Sequence, residues 1–180
     1  MRTLLLKSLF ASPVTTDRPA ADDAGLEELG RVLAARARRL FGRSMTIREI
    51  DAGSCNGCEL EIHALNTAVY DIERFGLKFT ASPRHADVLL VTGPVTHNMK
   101  IALERTYAAT PDPKWVVAVG DCAINGGLFA GSYAVAGGVD AALPVHLRIE
   151  GCPPRPFDLL SGLLALMEDP LRRSPMTTTR

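Results

Sequence analysis

Two stretches of this chain carry almost unbroken apolar runs: Ala86 to Thr92 (Ala-Asp-Val-Leu-Leu-Val-Thr) and Lys114 to Val119 (Lys-Trp-Val-Val-Ala-Val). Short continuous runs of this kind, stopped by Gly93-Pro94 and by Gly120-Asp121, read as strands buried on both faces. Thr46 to Ile50, Leu77 to Thr80 and Pro144 to Ile149 are weaker strand candidates. Between them the period changes to that of a helix. Glu59 to Phe75 reads as one helix, with Leu60, Leu65, Val69 and Ile72 among its apolar positions and Gly76 at its C-terminal end. Asn98 to Ala109 reads as a second helix, closed by Pro111-Asp112-Pro113. Pro156 to Met167 reads as the last, with proline at a permitted first-turn position. Strands alternating with helices predict a parallel sheet with helices on both faces.

The first 45 residues follow a different pattern. Leu4, Leu5, Leu6, Leu9 and Phe10 form a short apolar tip. Leu26, Leu29, Val32, Leu33, Ala37, Leu40 and Phe41 then fall at helical spacing, behind a start signal at Asp22-Asp23. Arg31, Arg36, Arg38, Arg39 and Arg43 decorate that helix. They read as a solvated basic face, or as a face that docks on a partner subunit or an anionic membrane surface. The predicted organisation is an N-terminal extension over 1–45, an α/β domain over 46–168 and a flexible tail over 169–180.

Length and composition narrow the function. A chain of 180 residues suits one core. Lys+Arg and Asp+Glu both number 20, so no polyanionic partner is implied, and an aromatic content of 6% gives nucleic-acid binding little support. No Gly-x-Gly-x-x-Gly or P-loop occurs. No apolar run approaches a membrane span, and the opening residues lack a convincing signal peptide or twin-arginine pair. These features predict a cytoplasmic protein with free thiols.

The cysteines carry the chemistry. There are four: Cys55 and Cys58 in Gly-Ser-Cys-Asn-Gly-Cys, Cys122 in Gly-Asp-Cys-Ala, and Cys152 in Gly-Cys-Pro-Pro. Each has a turn-like, glycine-flanked setting. Cys55, Cys122 and Cys152 all follow predicted strands, which puts them at one edge of the sheet, where open α/β folds bind ligands. Four thiolates match the need of one [4Fe–4S] cluster. Two other readings remain open on spacing alone. Zinc could take the same ligands, although its ribbons usually bring two tight Cys-x2-Cys pairs. A redox dithiol would use Cys55 and Cys58 only.

Glu59 and Glu61 read as acids at a helix N-terminus. His63, His85, His97 and His146 share no ligand spacing. Gly93 to Asn98 could line the cysteine pocket, or cap the next helix through Thr96 or Asn98.

In combination these motifs resemble a known family. Residues 50–62 (Ile-Asp-Ala-Gly-Ser-Cys-Asn-Gly-Cys-Glu-Leu-Glu-Ile), 70–76, 82–93, Gly120-Asp121-Cys122-Ala123 and Gly151-Cys152-Pro153-Pro154-Arg155-Pro156 resemble the small subunits of group 4, energy-converting [NiFe] hydrogenases of the formate-hydrogenlyase type. The superfamily includes the quinone-proximal iron–sulfur subunit of complex I. That subunit has adjacent cysteines where this chain has the spaced Cys55 and Cys58, which favours the hydrogenase form. Glu150 stands where the family often has proline, and His146 where it often has an acid.

The resemblance implies a flavodoxin-like sheet holding one [4Fe–4S] cluster through Cys55, Cys58, Cys122 and Cys152. It implies an electron-transfer subunit that catalyses nothing alone. Its partners would be a nickel–iron large subunit, ferredoxin-like subunits and integral membrane subunits, on the cytoplasmic side of the membrane. The docked face is expected at Gly126 to Gly138 or on the basic helix. The alternatives are a quinone- or sulfur-reducing complex without hydrogenase activity, and a zinc-stabilised binding module.

Overall fold

The computed structural model describes residues 23–168. The apolar tip at Leu4 to Phe10 and the tail from Asp169 lie outside the described residues. Five strands form one sheet: β1 (Met45–Asp51), β2 (Leu77–Phe79), β3 (Val88–Thr92), β5 (Trp115–Val119) and β7 (Leu147–Ile149). Every pairing in it is parallel, and the spatial order is β2-β1-β3-β5-β7. This is the flavodoxin order, in which the chain reverses its direction of winding between β1 and β3. A separate antiparallel pair joins β4 (Val95–Thr96) to β6 (Val135–Gly137).

Helices cover both faces, as the alternation of the sequence requires. One face packs α1 (Asp23–Phe41), α2 (Gly57–Ala64) and α5 (Pro156–Glu168) over Met45, Ile47, Leu90, Val117 and Val119. The other packs α3 (His97–Ala109) and the short α4 (Asp121–Asn125) over Ile50, Leu89, Val91, Val116 and Ala118. β3 and β5 are buried at every residue, which is why their sequences carry no polar alternation. α1 contributes Leu33 and Ala37 to the first core, both fully buried. Its glycine at position 30 lies so close to the Phe75 ring that a Cβ would fall 2.3 Å from it.

The predicted helix from Glu59 to Phe75 is in fact two pieces. α2 stops at Ala64, and a one-turn 3₁₀ helix resumes at Ile72–Phe75. Thr67 Oγ1 donates to Ala64 O at 2.6 Å, a local bond that competes with helical continuation. Leu65 and Ile72 still reach the core, whereas Leu60 and Val69 are 62% and 72% exposed, so two of the expected apolar positions face outward. The predicted loop from Gly126 to Gly138 contains a 3₁₀ turn (Gly127–Phe129) and β6.

At the amino-terminal ends of the strands, Asp87 ties β1 and β3 to the end of α1. Its carboxylate accepts from Arg43 at 2.8 and 2.7 Å and from the buried Thr46 N–H at 2.9 Å. Asp87→Ala leaves that N–H without its acceptor. The expected loss is about 1–3 kcal/mol, measured by denaturant unfolding.

Candidate metal centre

The carboxyl ends of β1, β5 and β7 each lead into a cysteine-bearing segment. After β1, Asp51 Oδ1 accepts from the N–H groups of Gly53 and Ser54, both at 2.7 Å, and folds the chain into a tight turn. Ser54 Oγ accepts from Asn56 N–H at 3.1 Å, and Asn56 takes a left-handed conformation at φ 70°. Cys55 sits in this turn. Cys58 lies in the first turn of α2 and Cys122 in the first turn of α4, so two of the four are helical rather than in loops.

The second and third segments are fastened to each other. Gly120 N–H donates to Ile149 O, and Asp121 N–H donates to Gly151 O at 3.0 Å. In return, Gly151 N–H donates to Asp121 Oδ1 at 2.9 Å. Gly93, after β3, packs so tightly on the Cys55 turn that a Cβ would lie 2.5 Å from Ser54 N.

All four cysteines line one small cavity of about 110 Å³, together with Gly57, Gly93, Gly151 and Pro153. None of the four forms a disulfide, and Cys55 and Cys152 are exposed while Cys58 and Cys122 are half-buried. The walls are fitted to sulfur. A Cβ at Gly120 would stand 2.6 Å from Cys58 Sγ, and one at Gly127 would stand 2.7 Å from Cys122 Sγ. Leu128 N–H donates to the Cys122 sulfur, which favours its thiolate. Burial nonetheless pushes the Cys122 thiol up, and that of Cys58 up to about 12, with Glu59 and the other three cysteines adding repulsion.

These thiols repel one another as anions, so a cationic occupant would relieve them. The donor set is soft sulfur, with an N–H donor and close glycine walls around it, and it fits an iron–sulfur group. No three His, Cys, Asp or Glu side chains among the described residues are close enough to share a single ion.

The burial of Cys58 has a direct chemical consequence. In the metal-free chain, alkylation followed by mass spectrometry should modify exposed Cys55 and Cys152 first and Cys58 last. The rate at Cys58 should climb as pH rises toward about 12. The same shift favours the neutral thiol in the folded chain. Its stabilising contribution is therefore complete below the ordinary value of 9.0 and lost as pH rises through about 12.

The remaining residues singled out in the sequence have plainer roles. Thr96 Oγ1 caps α3 by accepting from Met99 N–H. His146 is held in the fold, its Nδ1 accepting from Val116 N–H at 3.0 Å. His63, His85 and His97 are exposed. Glu59 departs from expectation: it is 6% exposed, and neither carboxylate oxygen has a hydrogen-bond partner among the described residues. Glu49 is half-buried, and desolvation raises its carboxyl, with repulsion from Glu59 adding to the effect. The Glu-Leu-Glu sequence gave no local signal that Glu59, rather than Leu60, would turn inward.

Sheet order and the edge that gathers the thiols define a flavodoxin-like α/β domain with its site at the carboxyl ends of the strands. Residues 55–166 match the family described as NADH ubiquinone oxidoreductase, 20 Kd subunit, and the chain belongs to that family. A probable membrane-bound hydrogenase subunit mbhJ of Pyrococcus furiosus is 45% identical over 134 residues, 74% of this chain and 80% of that protein. Formate hydrogenlyase subunit 7 of Escherichia coli is 46% identical over 129 residues, 70% of this chain and 51% of that protein, so this chain spans about half of that relative. Among solved structures, a chain of the membrane-bound sulfane sulfur reductase, an archaeal respiratory membrane complex, superposes with a TM-score of 0.63. It is 40% identical, over 76% of this chain and 74% of that one. No helix among the described residues is long and apolar enough to cross a membrane.

Proposed function

We propose that this chain is the electron-relay subunit of a membrane-associated, [NiFe]-hydrogenase-type complex, with one [4Fe–4S] cluster held by Cys55, Cys58, Cys122 and Cys152. The observation that carries the reading is the single glycine-walled cavity lined by all four cysteines of the chain. When bound, such a cluster stores and releases one electron at a time. The protein's part is to supply thiolates, to hold their loops rigid through the Asp51 and Asp121 bonds, and to aim backbone N–H donors such as that of Leu128 at sulfur.

Two observations weigh against the alternatives. Zinc ribbons usually bring two tight Cys-x2-Cys pairs, whereas here only Cys55 and Cys58 are so spaced. A redox dithiol would use Cys55 and Cys58 alone and would leave Cys122 and Cys152, which line the same cavity, without a part.

The cysteine edge also carries the exposed apolar side chains expected of a docking face. Leu60 follows Cys58 on α2, Leu128 and Tyr133 follow Cys122, and Phe157 follows Cys152; Leu128 and Tyr133 are 91% and 97% exposed. A large catalytic subunit docked there would shield the cluster and receive its electrons. Ferredoxin-like and integral membrane subunits complete the assembly, on the cytoplasmic side of the membrane.

A second reading, a sulfur- or quinone-reducing complex without hydrogenase activity, draws on the likeness to the sulfane sulfur reductase chain. The spaced Cys55 and Cys58 favour the hydrogenase reading. Anaerobic purification with the associated subunits separates them: nickel in the complex together with hydrogen turnover supports the first, and a nickel-free complex that reduces polysulfide or quinone replaces it with the second.

A further inference from the structure

β1 outruns the strand beside it. It spans seven residues, whereas β2 pairs with it only from Met45 to Ile47. In a parallel ladder the backbone groups of successive residues point alternately to the two neighbouring strands. Met45 N–H donates to Gly76 O and Ile47 O accepts from Thr80 N–H, both on the β2 side. Thr46 O accepts from Asp87 N–H and Ala52 N–H donates to Thr92 O, both on the β3 side. By that alternation Glu49 and Asp51 aim their N–H and C=O groups toward β2, which has already ended. Neither backbone has a hydrogen-bond partner on that side among the described residues. Ser82-Pro83 follows β2 and stops it, because proline lacks the N–H that a ladder needs.

A cavity of about 250 Å³ takes the place of the missing strand. Arg48 and Glu49 of β1, Ile62 and His63 of α2, and Thr80 and Ala81 line it. Arg48 Nε is buried and has no hydrogen-bond partner among the described residues. The overhang from Arg48 to Asp51 is about 13 Å long. An open edge of this kind takes an extended peptide, whose backbone supplies the absent bonds.

We propose that an extended segment of a neighbouring subunit adds to β1 along Glu49 and Asp51, end to end with β2, and brings an acidic side chain to Arg48. The groups left open are the alternating N–H and C=O of a strand, which only another main chain matches in spacing. The added strand also braces the cysteine edge, because Asp51 ends β1 and holds the Cys55 turn through the Gly53 and Ser54 N–H groups. The proposal rests on the reading of this chain as a subunit of a complex, and not on what the cysteines hold.

The complex, purified with its associated subunits, is imaged by cryo-electron microscopy, and its amide hydrogen exchange is compared with that of the chain alone. A segment of another subunit is expected beside Glu49, with N···O separations of about 2.7–3.2 Å. The Glu49 and Asp51 amides should exchange at least about tenfold more slowly in the complex. Glu49→Pro is the matched variant. The N–H it removes faces the open side, so the β3 ladder keeps its bonds and the fold should persist by circular dichroism. Its recovery with the complex should fall at least about tenfold, while Glu49→Gln, which keeps the N–H, is recovered normally. An assembled complex in which Glu49 meets only water or side chains would overturn the proposal and leave the complex reading standing. So would equal recovery of the two variants. A chain that purifies without partners would overturn both.

Discussion

Cys122→Ser is expected to remove the [4Fe–4S] chromophore and to loosen the edge of the sheet that carries it. Serine places a harder oxygen on a shorter bond, and iron in such clusters is held by thiolates. The exchange would also replace the sulfur to which Leu128 N–H donates. Cys122 begins the segment fastened to the Cys152 loop through Asp121 and Gly151, so loss of the cluster should reach that loop too. Iron per chain should fall to a small fraction of the parent value, and the melting temperature of the purified complex should fall with it. A Cys122→Ser protein with the parent's full iron–sulfur spectrum would remove this residue from the ligand set.

Gly120→Ala should damage the same centre without touching a ligand. Gly120 has φ +84°, a region that side chains other than glycine rarely adopt, and its added Cβ would stand 2.6 Å from Cys58 Sγ and 3.3 Å from Gly151 O. Strain of about 1–3 kcal/mol and overpacking of similar size add to a loss of about 2–6 kcal/mol. Because the atom displaced is a sulfur of the site, cluster content should fall as well. Gly76→Ala is the control. Its φ is +77°, but nothing lies within 4 Å of the added atom, so only the backbone strain of about 1–3 kcal/mol should appear, with the cluster retained. Equal effects from the two substitutions would mean that the glycine wall of the cavity is incidental.

Much of this arrangement is legible in the chain before any coordinates. β3 and β5 announce themselves because strands buried on both faces need no polar residue, and their glycine stops mark the carboxyl edge. Three cysteine segments after strands then had to share that edge. The failures are equally physical. Spacing of Leu65 and Ile72 matches a continuous helix, yet a capped turn followed by a 3₁₀ helix delivers the same two side chains to the core, so periodicity could not separate the two. The two-residue β4 is too short to carry a pattern at all. Glu59 and Leu60 exchange their expected places because the side of α2 facing the sheet is set by how Cys58 and Ile62 enter the core, a tertiary choice that three neighbouring residues do not encode. Exposed Leu60, Leu128, Tyr133 and Phe157 look misplaced in an isolated chain and become consistent once the cysteine edge is treated as a docked face.

Spectroscopy tests the central claim most directly when it counts the atoms it sees. The complex, purified without oxygen, is assayed for iron and acid-labile sulfide assigned to this chain and examined by Mössbauer and electron paramagnetic resonance. Brown protein is expected, with iron and sulfide in equal amounts filling one cubane per chain. Colourless, folded protein with a stoichiometric zinc ion in its place would contradict the account.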